Sequence, residues 1–126
     1  MKRATILIVD DDELRCELLA ELLEDEGFET RIALDGQEGL EDLAEQRPDL
    51  ILLDIIMPRI DGVRFLQRLP SVSASPSPPV IVISGSIDSV GGRSLEELGV
   101  SRVVRKPVDP VELIEQIHAL LETTGG

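Results

Sequence analysis

Six side chains that could do oxygen or nitrogen chemistry stand where apolar runs end. Asp10, Asp11 and Asp12 follow Ile6-Leu7-Ile8-Val9, Asp54 follows Leu50-Ile51-Leu52-Leu53, Ser84 follows Val80-Ile81-Val82-Ile83, and Lys106 follows Val103-Val104-Arg105. Carboxylates, a hydroxyl and an ammonium brought together suit binding a divalent cation and handling a phosphoryl group. Adjacent carboxylates repel, so Asp10 and Asp11 call for a cation or hydrogen-bond donors beside them. Magnesium fits: it takes hard oxygen ligands, uses one or two carboxylates and keeps waters that phosphoryl oxygens can replace. Asp54 is the candidate nucleophile, because a carboxylate can accept a phosphoryl group as an acyl phosphate once metal and lysine offset the charge. Lys106 would pair with Asp54 before reaction and with the phosphoryl group after it, and the Ser84 hydroxyl could donate to a phosphoryl oxygen. Plainer readings exist for each: a helix cap, which we assign mainly to Asp12, a serine bonded to backbone, a surface lysine before a turn.

Strand-length apolar runs alternate with stretches of helical period, which predicts an α/β fold whose parallel sheet carries helices on both faces. The near-continuous aliphatic strands agree with burial on both sides. The predicted strands are Thr5–Val9, Glu29–Ala33, Leu50–Asp54, Val80–Ser84 and residues 102–106. In such a sheet the carboxyl ends of the strands open on one edge, so the six residues would converge there. The first helix is capped by Asp12, shows Leu14, Leu18 and Leu22 at four-residue spacing beside Leu19 and Leu23, and ends at Gly27. The second, about residues 36–46, turns Leu40, Leu43 and Ala44 inward although Gly39 weakens it by ~1 kcal/mol relative to alanine. A turn at Asp61-Gly62 leads into the third, about residues 62–69. The Ser/Pro tract 70–79 reads as an extended loop. A fourth helix should begin near Asp88, with Gly91-Gly92 leaving only residues 93–98 firmly helical. The last starts at Asp109-Pro110 and lays Val111, Ile114, Ile117 and Leu121 on one face, with His118 at its edge.

A chain of 126 residues suits one domain, residues 1–126 with a core over about 5–122. The formal net charge of −13 argues against direct nucleic-acid binding, which needs clustered Lys and Arg. The lone Cys16 cannot form an intrachain disulfide, and its plain reading is a small helix residue. No secretory signal or membrane span is evident, so a soluble, cytoplasmic protein is expected. Phe28 and Phe65 are the only aromatics, so the core must be aliphatic.

The acidic pair Asp10-Asp11, Asp54 with Met57-Pro58 and Asp61-Gly62 behind it, Ser84-Gly85 and Lys106-Pro107 occur in that order. With these at family spacing, the chain resembles a response-regulator receiver domain, the phosphoacceptor module of two-component signalling, from Ile6 to about Leu121. The resemblance implies a flavodoxin-like, doubly wound five-stranded sheet of order 2-1-3-4-5, for which a member of this family is a standard illustration. It implies that Asp54 accepts a phosphoryl group from a sensor histidine kinase, a phosphotransfer protein or a small acyl phosphate. Mg2+ would be held by Asp11, Asp54 and the backbone carbonyl of Ile56, with Asp10 acting through water. Ser84 and Lys106 would bind the phosphoryl oxygens, and the Lys106-Pro107 bond would be cis. The module is a switch that catalyses its own phosphorylation, not a turnover enzyme, and its output passes through contacts with a downstream protein on the fourth and fifth helices and fifth strand.

Three features depart from the family pattern. Val103 stands where members often carry an aromatic that rotates with the switch, and the Ser/Pro tract is long. Ile56 and Ser86, each two positions beyond a site residue, offer no carboxylate or amide to orient an attacking water, which predicts slow self-dephosphorylation. Two alternatives stay open: a phosphorylation-independent binding module and a small aspartate-nucleophile phosphohydrolase. Metal binding and acyl phosphate formation separate them.

Overall fold

Period-two alternation in the strands decides how the molecule is layered. The computed structural model describes residues 3–54, 62–72, 77–84, 89–90, 93–94 and 97–124. Strands β1 (Thr5–Val9), β2 (Glu29–Ala33), β3 (Leu50–Asp54), β4 (Val80–Ser84) and β7 (Arg102–Arg105) form one parallel sheet of order β2-β1-β3-β4-β7. Counted along the chain, its five strands lie 2-1-3-4-5, as the resemblance implies. Ile6, Ile8, Leu50, Leu52, Ile81, Ile83 and Val104 face one way, onto α1 (Glu13–Asp25) and α4 (Pro110–Thr124). Leu7, Val9, Ile51, Leu53, Val80 and Val82 face the other, onto α2 (Gly36–Glu45) and α3 (Gly62–Val72). All of these except the edge residue Val104 lie in strands with a neighbour on each side, and the helices cover both faces of the sheet, hence the unbroken aliphatic runs.

Local chemistry sets the helix ends. The Asp12 carboxylate accepts the N–H of Arg15 at 3.0 Å, and that of Asp109 accepts the N–H of Val111 at 3.0 Å just before Pro110. At the end of α1, Phe28 N–H reaches the Leu23 carbonyl and Gly27 N–H the Glu24 carbonyl, a Schellman closure with Gly27 at φ +95°. Asp35 caps α2 by accepting the Glu38 N–H at 2.8 Å. Gly39 is no accident of that helix: a Cβ there would lie 2.9 Å from Phe65 Cε1 and 3.2 Å from Val9 Cγ2.

Several expectations are corrected. The inward stripe of α1 is Cys16, Leu19, Ala20 and Leu23, while Leu14 and Leu18 are 64% and 59% exposed. Two leucine stripes compete on that helix, and the one carrying the small Cys16 and Ala20 lets it sit closer to the sheet. On α4 the buried stripe is Leu113, Ile117 and Leu120, with Ile114 and Leu121 at its flank and Val111 exposed. Ala44 is exposed, and α2 buries Gly36, Gly39, Leu40 and Leu43. Helix α3 runs on through Pro70 to Val72, forgoing one backbone bond, because Leu69 and Val72 pack onto the core there. Pro78 and Pro79 are buried rather than loose, and the Pro79 carbonyl accepts the Ile51 N–H at 3.0 Å. The fourth of the five expected helices is absent among the described residues, which contain four. Ser89–Val90 (β5) and Arg93–Ser94 (β6) pair antiparallel, and residues 97–99 form a turn. Gly91 and Gly92, whose composition is poor for helix, lie outside the described residues.

Candidate phosphoacceptor site

The same alternation that layers the core aims the site. Asp10 continues the Ile6-Ile8 face, Asp54 the Leu50-Leu52 face and Lys106 the Val104 face, so all three project toward α1 and α4 at the carboxyl edge. Asp10 and Asp54 are buried, at 3% and 5% exposure, and Asp11 is exposed beside them. Carboxylate oxygens of Asp10, Asp11 and Asp54 lie within 4.8 Å of one another, an all-oxygen set that could hold a hard divalent cation. Lys106 Nζ stands 3.4 Å from Asp54 Oδ2, and the Lys106-Pro107 bond is cis. Asp12 stays at the helix cap, apart from those three. Ser84 ends β4 with its backbone opposite Arg105, but its side chain lies outside the described residues, as do all of Ile56, Met57, Pro58 and Asp61.

One site residue went unread in the sequence. Arg15, on the first turn of α1, donates from Nε to Asp10 Oδ2 at 2.5 Å, from Nη2 to Asp10 Oδ1 at 2.9 Å and from Nη2 to Asp54 Oδ2 at 3.0 Å. Its signal was present: a cation three residues past an N-cap sits at the positive end of the helix, where acidic residues are favoured. Cys16, next along, gives its thiol to the Asp10 carbonyl, and burial, helped by the Asp10 charge, pushes its pKa up to about 12, so it is no nucleophile. His118 is exposed with its ring 5.4 Å from that of Phe28, away from the acids.

Burial pushes the Asp10 carboxyl up, but hydrogen bonds from Arg15 and the Asp12 N–H and the charges of Arg15 and Lys106 outweigh it and hold the pKa below its ordinary value. A depressed carboxylate stabilises the fold fully above its unfolded pKa of about 4, and that contribution is lost as pH falls through the folded value. Thermal melts without divalent cations from about pH 5 to about pH 2 should therefore fall less steeply for Asp10→Asn than for the parent. Parallel acid limbs would contradict it.

A parallel sheet of this order, with carboxylates and a lysine at its carboxyl edge, defines the receiver class. The family model for the response regulator receiver domain matches residues 6–118, and the chain belongs to that family. It is 35% identical over 119 residues to the DNA-binding response regulator MtrA of Mycolicibacterium smegmatis, covering 94% of this chain and 51% of that protein. It is 39% identical over 116 residues to the transcriptional regulatory protein CpxR of Escherichia coli, covering 92% of this chain and 48% of that protein. The chain thus spans about half the length of the curated relatives it matches. Among solved structures, chemotaxis protein CheY4 of Vibrio cholerae superposes with a TM-score of 0.84 at 25% identity, covering 95% of this chain and all of that one. A CheY-like receiver domain from Methanospirillum hungatei gives 0.84 at 30% identity, covering 97% and 96%. No helix among the described residues is long and apolar enough to cross a membrane.

Proposed function

We propose that this chain is the phosphoacceptor switch of a two-component or phosphorelay system, with Asp54 as acceptor. The observation that carries the reading is the meeting of Asp10, Asp11, Asp54 and Lys106 at one sheet edge, with Asp54 between the acids and the ammonium. An Asp54 carboxylate oxygen attacks phosphorus, and the P–N bond to a donor imidazole, or the P–O bond to a small acyl donor, breaks as the new P–O bond forms. Lys106 pairs with the carboxylate beforehand and with the phosphoryl oxygens afterwards, so its positive charge stays where negative charge develops. Ser84 would donate its hydroxyl to the same oxygens. Asp11, Asp54 and the Ile56 carbonyl would hold Mg2+, with Asp10 acting through water. When bound, the metal supplies further positive charge opposite the phosphoryl oxygens.

Exposed Leu14, Leu18 and Val111 border this edge, and a groove of about 500 Å³ lined by Leu18, Leu22, Pro107 and Val108 opens beside Lys106. They support the approach of a protein donor, a histidine kinase or phosphotransfer protein, which would cover them while presenting phosphohistidine. Output passes to a downstream protein through contacts on β7 and α4. Val103, in place of an aromatic, is 39% exposed on β7, and Ser84 and Lys106 can supply the differential contact that shifts the population. The net charge of −13 supports a receiver that does not itself bind nucleic acid, and a cytoplasmic location follows from a cytoplasmic donor. Ile56 and Ser86 leave no water-orienting group at those positions, which supports slow self-dephosphorylation. The test is incubation with Mg2+ and a small acyl phosphate, then hydroxylamine, which cleaves acyl phosphates and spares phosphoesters. Loss of the phosphoryl group to hydroxylamine, with the hydroxamate left behind mapped to Asp54, supports the reading; an adduct stable to hydroxylamine, or none, sinks it.

A further inference from the structure

We infer that Arg15 is a built-in counter-cation that occupies the acid cluster in place of a divalent ion, so that metal binding is an exchange in which the guanidinium must leave. This rests on the metal-dependent reading above. The guanidinium spans two of the three carboxylates that could hold the ion, bonding both oxygens of Asp10 at 2.5 and 2.9 Å and Asp54 Oδ2 at 3.0 Å. Its third nitrogen, Nη1, stands 3.7 Å from Asp12 Oδ2. A planar fork of donors that satisfies two carboxylates at once is an arrangement a lysine cannot reproduce.

The position of Arg15 makes a bystander role a poor account. With Asp12 as N-cap and Glu13 the first helical residue, Arg15 is the third residue of α1, and its own N–H is held by the Asp12 carboxylate. A cation there opposes the helix dipole, an unfavourable placement that only the neighbouring carboxylates offset. Asp10 and Asp54 are both buried, with carboxylate oxygens within 4.8 Å of each other, and two acids so placed call for positive partners. Arg15 and Lys106 supply those partners, so each of the two buried acids is already paired with a cation of the chain itself. The Arg15 side chain is 34% exposed at the rim, which leaves it a path out to solvent on its flexible stem. Exchange therefore lowers apparent metal affinity by the strength of the ion pairs that must break, and it ties readiness for phosphoryl transfer to cation supply.

Calorimetric titration of Mg2+ into the parent, Arg15→Gln and Arg15→Lys at fixed monovalent salt tests this. Arg15→Gln should bind Mg2+ roughly tenfold tighter than the parent, with Arg15→Lys between the two. Without Mg2+ the glutamine variant should melt below the parent, and the gap should close as Mg2+ is raised. A merely structural ion pair would lower the melting midpoint and leave the Mg2+ affinity unchanged. Equal or weaker binding by the glutamine variant overturns the inference. If that variant is unfolded without metal, Arg15→Lys decides, and affinity equal to or below the parent's overturns it. Absence of Mg2+ binding in all three overturns the metal reading itself, and this inference with it.

Discussion

Replacing Lys106 with methionine is expected to slow the loading of Asp54 from a small acyl phosphate about a hundredfold, the usual size of effect when one preorganised positive or hydrogen-bonding group is removed from a charge-developing site. Lys106 reaches the site because Val104 and Lys106 share one face of the sheet and β7 lies beside β4, which separates it from β3. Its ammonium stands 3.4 Å from Asp54 Oδ2. The stability effect should be small by comparison, because Lys106 is 32% exposed and such ion pairs contribute about 0–1 kcal/mol. Initial rates of adduct formation at saturating Mg2+, set beside thermal melts, check both halves. A rate within about twofold of the parent would remove Lys106 from the chemistry.

The largest expected effect on stability belongs to Phe65. It is fully buried and sits where α3 meets α2 and β1, so Phe65→Ala should cost about 3–5 kcal/mol. Against a typical total of about 5–15 kcal/mol, that is a large share. The same contact reverses the ordinary preference at Gly39. Alanine there would gain about 1 kcal/mol of helix propensity, but its Cβ would meet Phe65 Cε1 at 2.9 Å inside a packed core. Gly39→Ala should therefore destabilise the parent and do so less in a Phe65→Leu background, where that ring is gone. Urea unfolding of the four proteins of this cycle measures the coupling. A stabilising Gly39→Ala would show that the ring yields freely.

What could be read from the sequence follows from how local each determinant is. The central strands and their edge were legible because an aliphatic run of four residues that stops at a carboxylate or hydroxyl needs no partner to be recognised. The layering followed too, since period two fixes which residues share a face. The inward face of α1 was not legible, because leucines at 14, 18, 19, 22 and 23 spread over about half of its circumference and only packing selects among them. The antiparallel pairing of Ser89–Val90 with Arg93–Ser94 defeated a helical reading that Gly91-Gly92 had already weakened. The Asp35-to-Glu38 spacing is a capping signal that was visible and passed over. Arg15 was missed for a different reason. Its position five residues beyond Asp10 says nothing about contact until the strand, the turn and the first turn of α1 are built in three dimensions.

The most direct test of the account is intact-mass analysis after incubation with Mg2+ and a small acyl phosphate, run beside Asp54→Asn and a sample with chelator. The account predicts one added phosphoryl group on the parent chain and none in either control. An adduct that persists in Asp54→Asn would place the acceptor elsewhere, and a parent that gains no mass under any condition would contradict the phosphoacceptor role.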